Sequence, residues 1–129
     1  MDLDRVPKWI SDSGTEQEVG ASLAVDTYYL EIRKGRAMEF SFTLIHDASI
    51  VATATVEGND APSSVGSAYA TAATSGWQDE ADITDITIAG GTAASVGRHV
   101  VDFVKNRARV KLAVTTPGVC TIYPTIPGN

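Results

Sequence analysis

The sequence predicts an all-β fold, a two-sheet antiparallel sandwich of about seven or eight strands preceded by an irregular N-terminal arm. Three observations carry this. Apolar and β-branched residues alternate with polar ones at period two, most clearly in the last such stretch, 108–126, which folds back at Thr116-Pro117-Gly118. Turn-forming clusters punctuate these stretches. The composition is rich in Ala, Thr, Ser and Gly and poor in Leu, Glu and Lys, which argues against a helical bundle. At 129 residues the chain is one domain by size. Roughly two-thirds of its unfolded surface can be buried without help from disulfides or a metal.

Residues 1–26 read as the arm. Val6-Pro7-Lys8-Trp9-Ile10 is followed by a polar stretch, 11–18, with turn formers and no sustained period. The apolar pair Trp9 and Ile10 must pack either on its own domain or on a neighbour, and the residues alone favour its own domain. The sandwich then occupies 27–129. Tyr28, Leu30 and Ile32 alternate with Tyr29, Glu31 and Arg33, and Lys34-Gly35-Arg36 supplies a turn. Met38, Phe40, Phe42 and Leu44 share the face opposite Glu39, Ser41 and Thr43. After a reversal at Ile45-His46-Asp47-Ala48, Ile50, Ala52, Ala54 and Val56 line one side of a third strand, so that the three form a meander.

The stretch 58–76 has no period and is rich in Ser, Ala, Gly and Thr. A loop this long within a domain is usually functional or mobile. Trp77 starts a short strand, Ile83, Ile86 and Ile88 mark another, and Ala89-Gly90-Gly91-Thr92 breaks the pattern. The stretch 100–104 fits a strand better than a helix because β-branched residues crowd it. Arg109, Lys111 and Ala113 then alternate with Val110, Leu112 and Val114. Pro117 and Gly118 suit a type II turn with positive φ at the glycine. The closing strand sets Cys120 and Ile122 against Thr121, Tyr123 and Thr125, and Pro124 and Pro127 consign it to a sheet edge.

The formal charge of −6 repels phosphate backbones, and nucleic acid is not an expected partner. The short basic groups, 33–36 and 105–111, read as decoration of turns and of the solvent face of a strand. The start Met1-Asp2-Leu3-Asp4 lacks the basic and apolar regions of a secretory signal, and no apolar run approaches the roughly 20 residues of a membrane span. The expectation is a soluble protein made in the cytoplasm, with no membrane partner.

No catalytic, cofactor-binding or metal-ligating residue is assigned. The two histidines and single cysteine do not reproduce a zinc spacing. His46 reads as a solvated turn residue, His99 as a partly exposed strand residue and Cys120 as a small buried hydrophobe. The acidic run Asp79-Glu80-Ala81-Asp82-Ile83-Thr84-Asp85 lacks the glycine and spacing of a helix-loop-helix calcium loop.

Three segments carry a resemblance: Ala54-Thr55-Val56-Glu57-Gly58-Asn59-Asp60, a strand running into a turn; Gly76-Trp77; and 107–115 followed by Pro117-Gly118 and a closing strand. In these the chain resembles small virion proteins encoded in the structural modules of tailed bacteriophages, from Phe40 onward, with 62–75 departing by its length and alanine content. The resemblance implies a β-sandwich of the capsid decoration (cement) type that binds the major capsid protein across adjacent subunits on the capsid exterior. Such a protein is not an enzyme and needs no cofactor. The expected assembly is a homo-oligomer, a trimer on a symmetry axis of the shell. In that setting Lys8, Trp9, Ile10 and Tyr123 are the candidate partner-binding residues. A head-tail or tail accessory protein and a glycan-binding host-attachment module using 58–76 are the alternatives.

Overall fold

The computed structural model describes residues 7–32, 39–59, 77–79, 84–102 and 107–125, the stretch 94–102 through its backbone. Nine strands are present among them: β1 (Ile10–Ser11), β2 (Thr27–Ile32), β3 (Glu39–His46), β4 (Val51–Asn59), β5 (Gln78–Asp79), β6 (Ile86–Ile88), β7 (Ala94–Asp102), β8 (Arg107–Thr116) and β9 (Cys120–Thr125). They form two antiparallel sheets. The larger has the order β1-β2-β8-β4-β5, with β6 also paired to β4, and the smaller has the order β7-β3-β9. The fold is all-β, and no helix among the described residues is long and apolar enough to cross a membrane.

The faces follow the alternation. Leu30, Ile32, Val110, Leu112, Ala52, Ala54 and Val56 are buried from the larger sheet, and Phe40, Phe42, Leu44 and Ile122 from the smaller. Alanines on the larger sheet complement the two phenylalanines of β3, whose rings stack with centroids 6.3 Å apart. The smaller sheet thus supplies the largest of the fully buried side chains, Phe40 and Phe42. Residues 33–38, including Met38 and the expected turn, and 103–106 lie outside the described residues.

Neighbour relations differ from the sequence reading. The expected meander of β2, β3 and β4 does not form: β2 and β4 both pair with β8 in the larger sheet, while β3 pairs with β7 and β9 in the smaller. Likewise β8 and β9 lie in different sheets, so Thr116-Pro117-Gly118 is a crossing between layers and not a hairpin. The physical reason is that period two reports which side chains share a face. Two strands can bury those faces against each other across the core as well as side by side.

Gly118 shows why this crossing is possible. Its φ is not positive, unlike those of Gly14, Gly20, Gly90 and Gly91, so the type II turn expected there is not formed. Instead Gly118 is extended and exchanges hydrogen bonds with Leu23, N–H to O at 2.7 and 3.2 Å. A Cβ on it would lie 2.6 Å from both the Cβ and the N of Ile50 and 2.7 Å from Asp47 Oδ1. Close approach, not turn geometry, demands the glycine. The Gly90-Gly91 break is as expected, with φ of 77° and 85°.

Two bulges adjust the ladders. Phe42 pairs with His99 and Leu44 with Val96, which sets Gly97 and Arg98 together opposite Thr43. In the larger sheet Val51 pairs with Thr116 and Ala52 with Val114, leaving Thr115 as the extra residue.

The described part of the expected arm, 7–26, is laid along the sandwich. Residues Ile10 and Ser11 pair with Tyr29 and Tyr28, and the Trp9 carbonyl accepts from Gln17 N–H at 2.8 Å. Leu23 is 1% exposed and Trp9 4%. This segment therefore belongs to the packed domain, because its two large apolar side chains complete the core.

Replacing Gly118 by Ala should destabilise the fold by about 1–3 kcal/mol, the usual cost of overpacking against backbone that cannot yield. Urea unfolding would measure it. Gly14→Ala is the converse case, with φ of 93° and no atom within 4 Å of the added Cβ, so it reports the cost of a positive φ without a clash.

Candidate docking surface

The outer face of the larger sheet carries a feature that the sequence reading missed. On β8, Arg107, Arg109 and Lys111 alternate outward, and Arg109 is the direct cross-strand partner of Glu31 on one side and Glu57 on the other. Arg107 holds Glu31 through both Nε to Oε1 and Nη2 to Oε2, the latter at 2.8 Å. Arg109 Nε donates to Glu57 Oε1 at 2.7 Å. Both arginines and both glutamates are buried. The expectation that these basic residues decorate a solvent face is therefore corrected. Alternation kept them out of the apolar core, but acids on both flanking strands and aromatic rings above them exclude water.

The rings are those of Tyr29 and Trp77. The Arg109 guanidinium carbon lies 4.2 Å from the Tyr29 ring centroid and 4.3 Å from that of Trp77, and Arg107 lies 5.0 Å from Trp77. Arg109 Nη1 is buried and has no hydrogen-bond partner. Aromatic faces offset part of that cost, since a desolvated cation over a ring is worth about 2 kcal/mol. The Tyr29 hydroxyl donates to Asp12 Oδ1 at 3.2 Å, tying the N-terminal segment to the same face. Burial first, then that hydrogen bond, holds the Tyr29 phenol above its ordinary value. Glu31, in turn, raises the Arg107 guanidinium through its hydrogen bonds, with burial opposing. The cluster is a locked structural layer.

The sequence-predicted partner residues do not gather in one place. Trp9 is buried in its own core and its Nε1–H donates to the Cys120 carbonyl at 2.8 Å, so its indole is not presented to a neighbour. Ile10 is half-buried at the β1 edge of the larger sheet. Lys8 makes an ion pair with Glu16 at 3.2 Å. It lines a half-open cleft with Pro7, Val19, Thr121 and Ile122 beside β9. Tyr123 is 42% exposed on β9, on the outer face of the smaller sheet.

Ile45 on β3, 45% exposed, was not singled out by the sequence. It pairs with Thr121, and Thr43 pairs with Tyr123, which makes Ile45 and Tyr123 diagonal neighbours on that outer face. Val19, 43% exposed, lies across the cleft from Thr121. The structure therefore sets Ile45 and Tyr123 diagonally on the outer face of the smaller sheet, while Val19 and Lys8 line the cleft that reaches β9 at Thr121 and Ile122. The signal for Ile45 was available: it breaks the polar series Ser41, Thr43 on the outward face of β3.

At the end of the sandwich, His46 and Cys120 are cross-strand partners. His46 is buried, not a solvated turn residue, because β3 runs through it and points it inward. Its Nδ1 lies 2.8 Å from the Asp47 carbonyl, which can only accept, so Nδ1 carries the proton. The Cys120 thiol is pushed up to about 12 by burial and by the nearby Asp47 charge. A thiol so held is not a nucleophile near neutral pH. Asp47 itself organises the β3–β4 turn. Local desolvation raises its carboxyl, but backbone hydrogen bonds from Val119, Ile50 and Ser49 and the Ser49 hydroxyl bring it below the ordinary carboxylate range. The His99 side chain and residues 80–83 of the acidic run lie outside what is described, as do 60–76 of the long loop. Among the described residues no group of three or more His, Cys, Asp and Glu side chains could hold a metal ion.

No protein-family model matches the chain, and neither a search of curated proteins nor one of solved structures found a match.

Two measurements test this picture. Arg109→Met and Glu57→Gln should each cost about 3–5 kcal/mol, because each strands a buried charge, while the double replacement should cost much less than their sum. Denaturant unfolding of the four proteins gives the cycle. Native protein at pH 8 should also resist thiol alkylation at Cys120 and become reactive on unfolding, when the thiol returns to an ordinary value near 8.5.

Proposed function

We propose that this chain is a structural protein of a tailed-bacteriophage virion that decorates the capsid and cements it by binding across coat subunits. The observation that carries the reading is the outer face of the smaller sheet, where Ile45 and Tyr123 stand exposed as diagonal neighbours on paired strands. Two large apolar side chains among the threonines that β3 and β9 turn outward offer a small anchor for a partner, and their preformed positions lower the entropic cost of docking. The phage-like segments around Val56, Trp77 and Val110 fall on the strands of the larger sheet and its covering ring, so in this reading the resembling residues hold the scaffold and the smaller sheet does the binding.

The mechanism is mass action. A protein that binds assembled coat subunits and not free ones stabilises the shell by the free energy of that binding, repeated at every equivalent junction. A symmetric shell offers many equivalent sites, so weak individual binding suffices. A homo-oligomer around a symmetry axis, with the major capsid protein as partner, is the arrangement expected of such a protein.

Quantitative mass spectrometry of virions from a phage encoding this chain should find it in hundreds of copies. A dozen or fewer copies would place it in the neck or tail, and its absence from virions would overturn the proposal. On stripped capsids, Ile45→Ser/Tyr123→Ser should lose occupancy at least tenfold while unfolding at the same denaturant concentration within error.

A further inference from the structure

We infer that Trp9 and Pro124 together close the free edge of β9 against a second copy of this chain, each removing one half of the same intermolecular hydrogen bond. The argument starts from which backbone groups face outward. The Val119 carbonyl accepts from Asp47 N–H at 3.0 Å, toward β3, whereas Gly118 pairs with Leu23 and the Cys120 carbonyl accepts from the Trp9 indole, both away from β3. Backbone groups alternate along a strand, so residues 118, 120, 122 and 124 all turn their N–H and C=O to the open side. Among the described residues β9 is the last strand of its sheet on that side.

At an unprotected edge, the simplest partner is a twofold-related β9. The sequence from Cys120 to Thr125 carries no charge, so two copies would oppose no like charges. A twofold centred on Ile122 sets Ile122 against its own copy and Cys120 against residue 124 of the other chain. In an antiparallel pair with outward groups facing, the Cys120 carbonyl would accept from the residue 124 N–H. Position 124 is proline and has no N–H. The Cys120 carbonyl is already occupied by Trp9 Nε1. Donor and acceptor of one bond are thus both withdrawn, and by symmetry this happens twice per pairing. Leu23 covers the adjoining Gly118, and Ile122 between them has no exposure.

This inference is independent of the capsid reading, since it concerns what the edge refuses. Its test uses the full chain as wild type, Trp9→Leu, Pro124→Val and the double variant, with sedimentation velocity over a concentration series and amide exchange across 120–125. Pro124→Val alone should sediment as the wild type does. The double variant should self-associate about tenfold more tightly than either single variant, with amides 122 and 124 becoming protected as concentration rises. A folded double variant that sediments as the wild type overturns the inference, and so does Pro124→Val giving the whole effect by itself. Should Trp9→Leu cost the fold, Trp9→Phe with Pro124→Val carries the same test, because Phe fills most of the site and has no N–H to donate.

Discussion

The row Glu31–Arg109–Glu57 is the constraint on which the larger sheet depends. It runs across three strands, and a slip of one residue in either ladder would turn the charged side chains into the core and the aliphatic ones out. Buried ion pairs are poor evidence of stability, because desolvation cancels most of the attraction. Their effect here is on register: the observed alignment of β2, β8 and β4 gives Glu31 to Arg107 and Glu57 to Arg109, and a slip of one residue would leave these charges facing the core. Trp77 and Tyr29 then seal the row. The unpaired Arg109 Nη1 marks the residual cost of that arrangement.

With the larger sheet set, the smaller one is positioned by what it must cover. β3 supplies Phe40, Phe42 and Leu44 to a floor containing Ala52, Ala54 and Ala108, and the bulge at Gly97-Arg98 shifts the register between β3 and β7. The N-terminal segment closes the remaining gap. Its contacts join the layers: β1 lengthens the larger sheet, while Trp9 and Leu23 reach β9 and the strand approach before it. An apolar side chain and a hydrogen bond at each of these points make the segment part of the core packing.

What is left on the outside is informative for function. The paired arginines and glutamates cancel, so the net negative charge is carried by the rest of the molecule. Among the described residues, the Cys120 thiol is pushed up by burial and His46 is enclosed at a strand end. Two of the exposed apolar side chains among the described residues, Ile45 and Tyr123, share the outer face of β3 and β9, while Val25 stands exposed just before β2. A surface that offers side chains while withholding its backbone suits a partner met face to face, and this is the physical basis for reading the smaller sheet as the docking side.

Much of this architecture was legible in the chain. Period-two alternation assigned the inward residues of β2, β3, β4, β8 and β9, and Pro124 marked an edge, because both depend only on local geometry. The bulky core residues followed for the same reason. Strand neighbours did not follow: β2, β3 and β4 read as a meander since alternation is blind to whether two faces meet within a sheet or across it. Gly118 read as a turn residue because its need for space arises from Ile50 and Asp47, distant in sequence. The own-domain packing of Trp9 was also favoured by the residues, whereas the buried state of Arg107 and Arg109, the enclosure of His46 and the diagonal placing of Ile45 and Tyr123 were decided by tertiary structure alone, since each depends on what another strand places within a few ångströms.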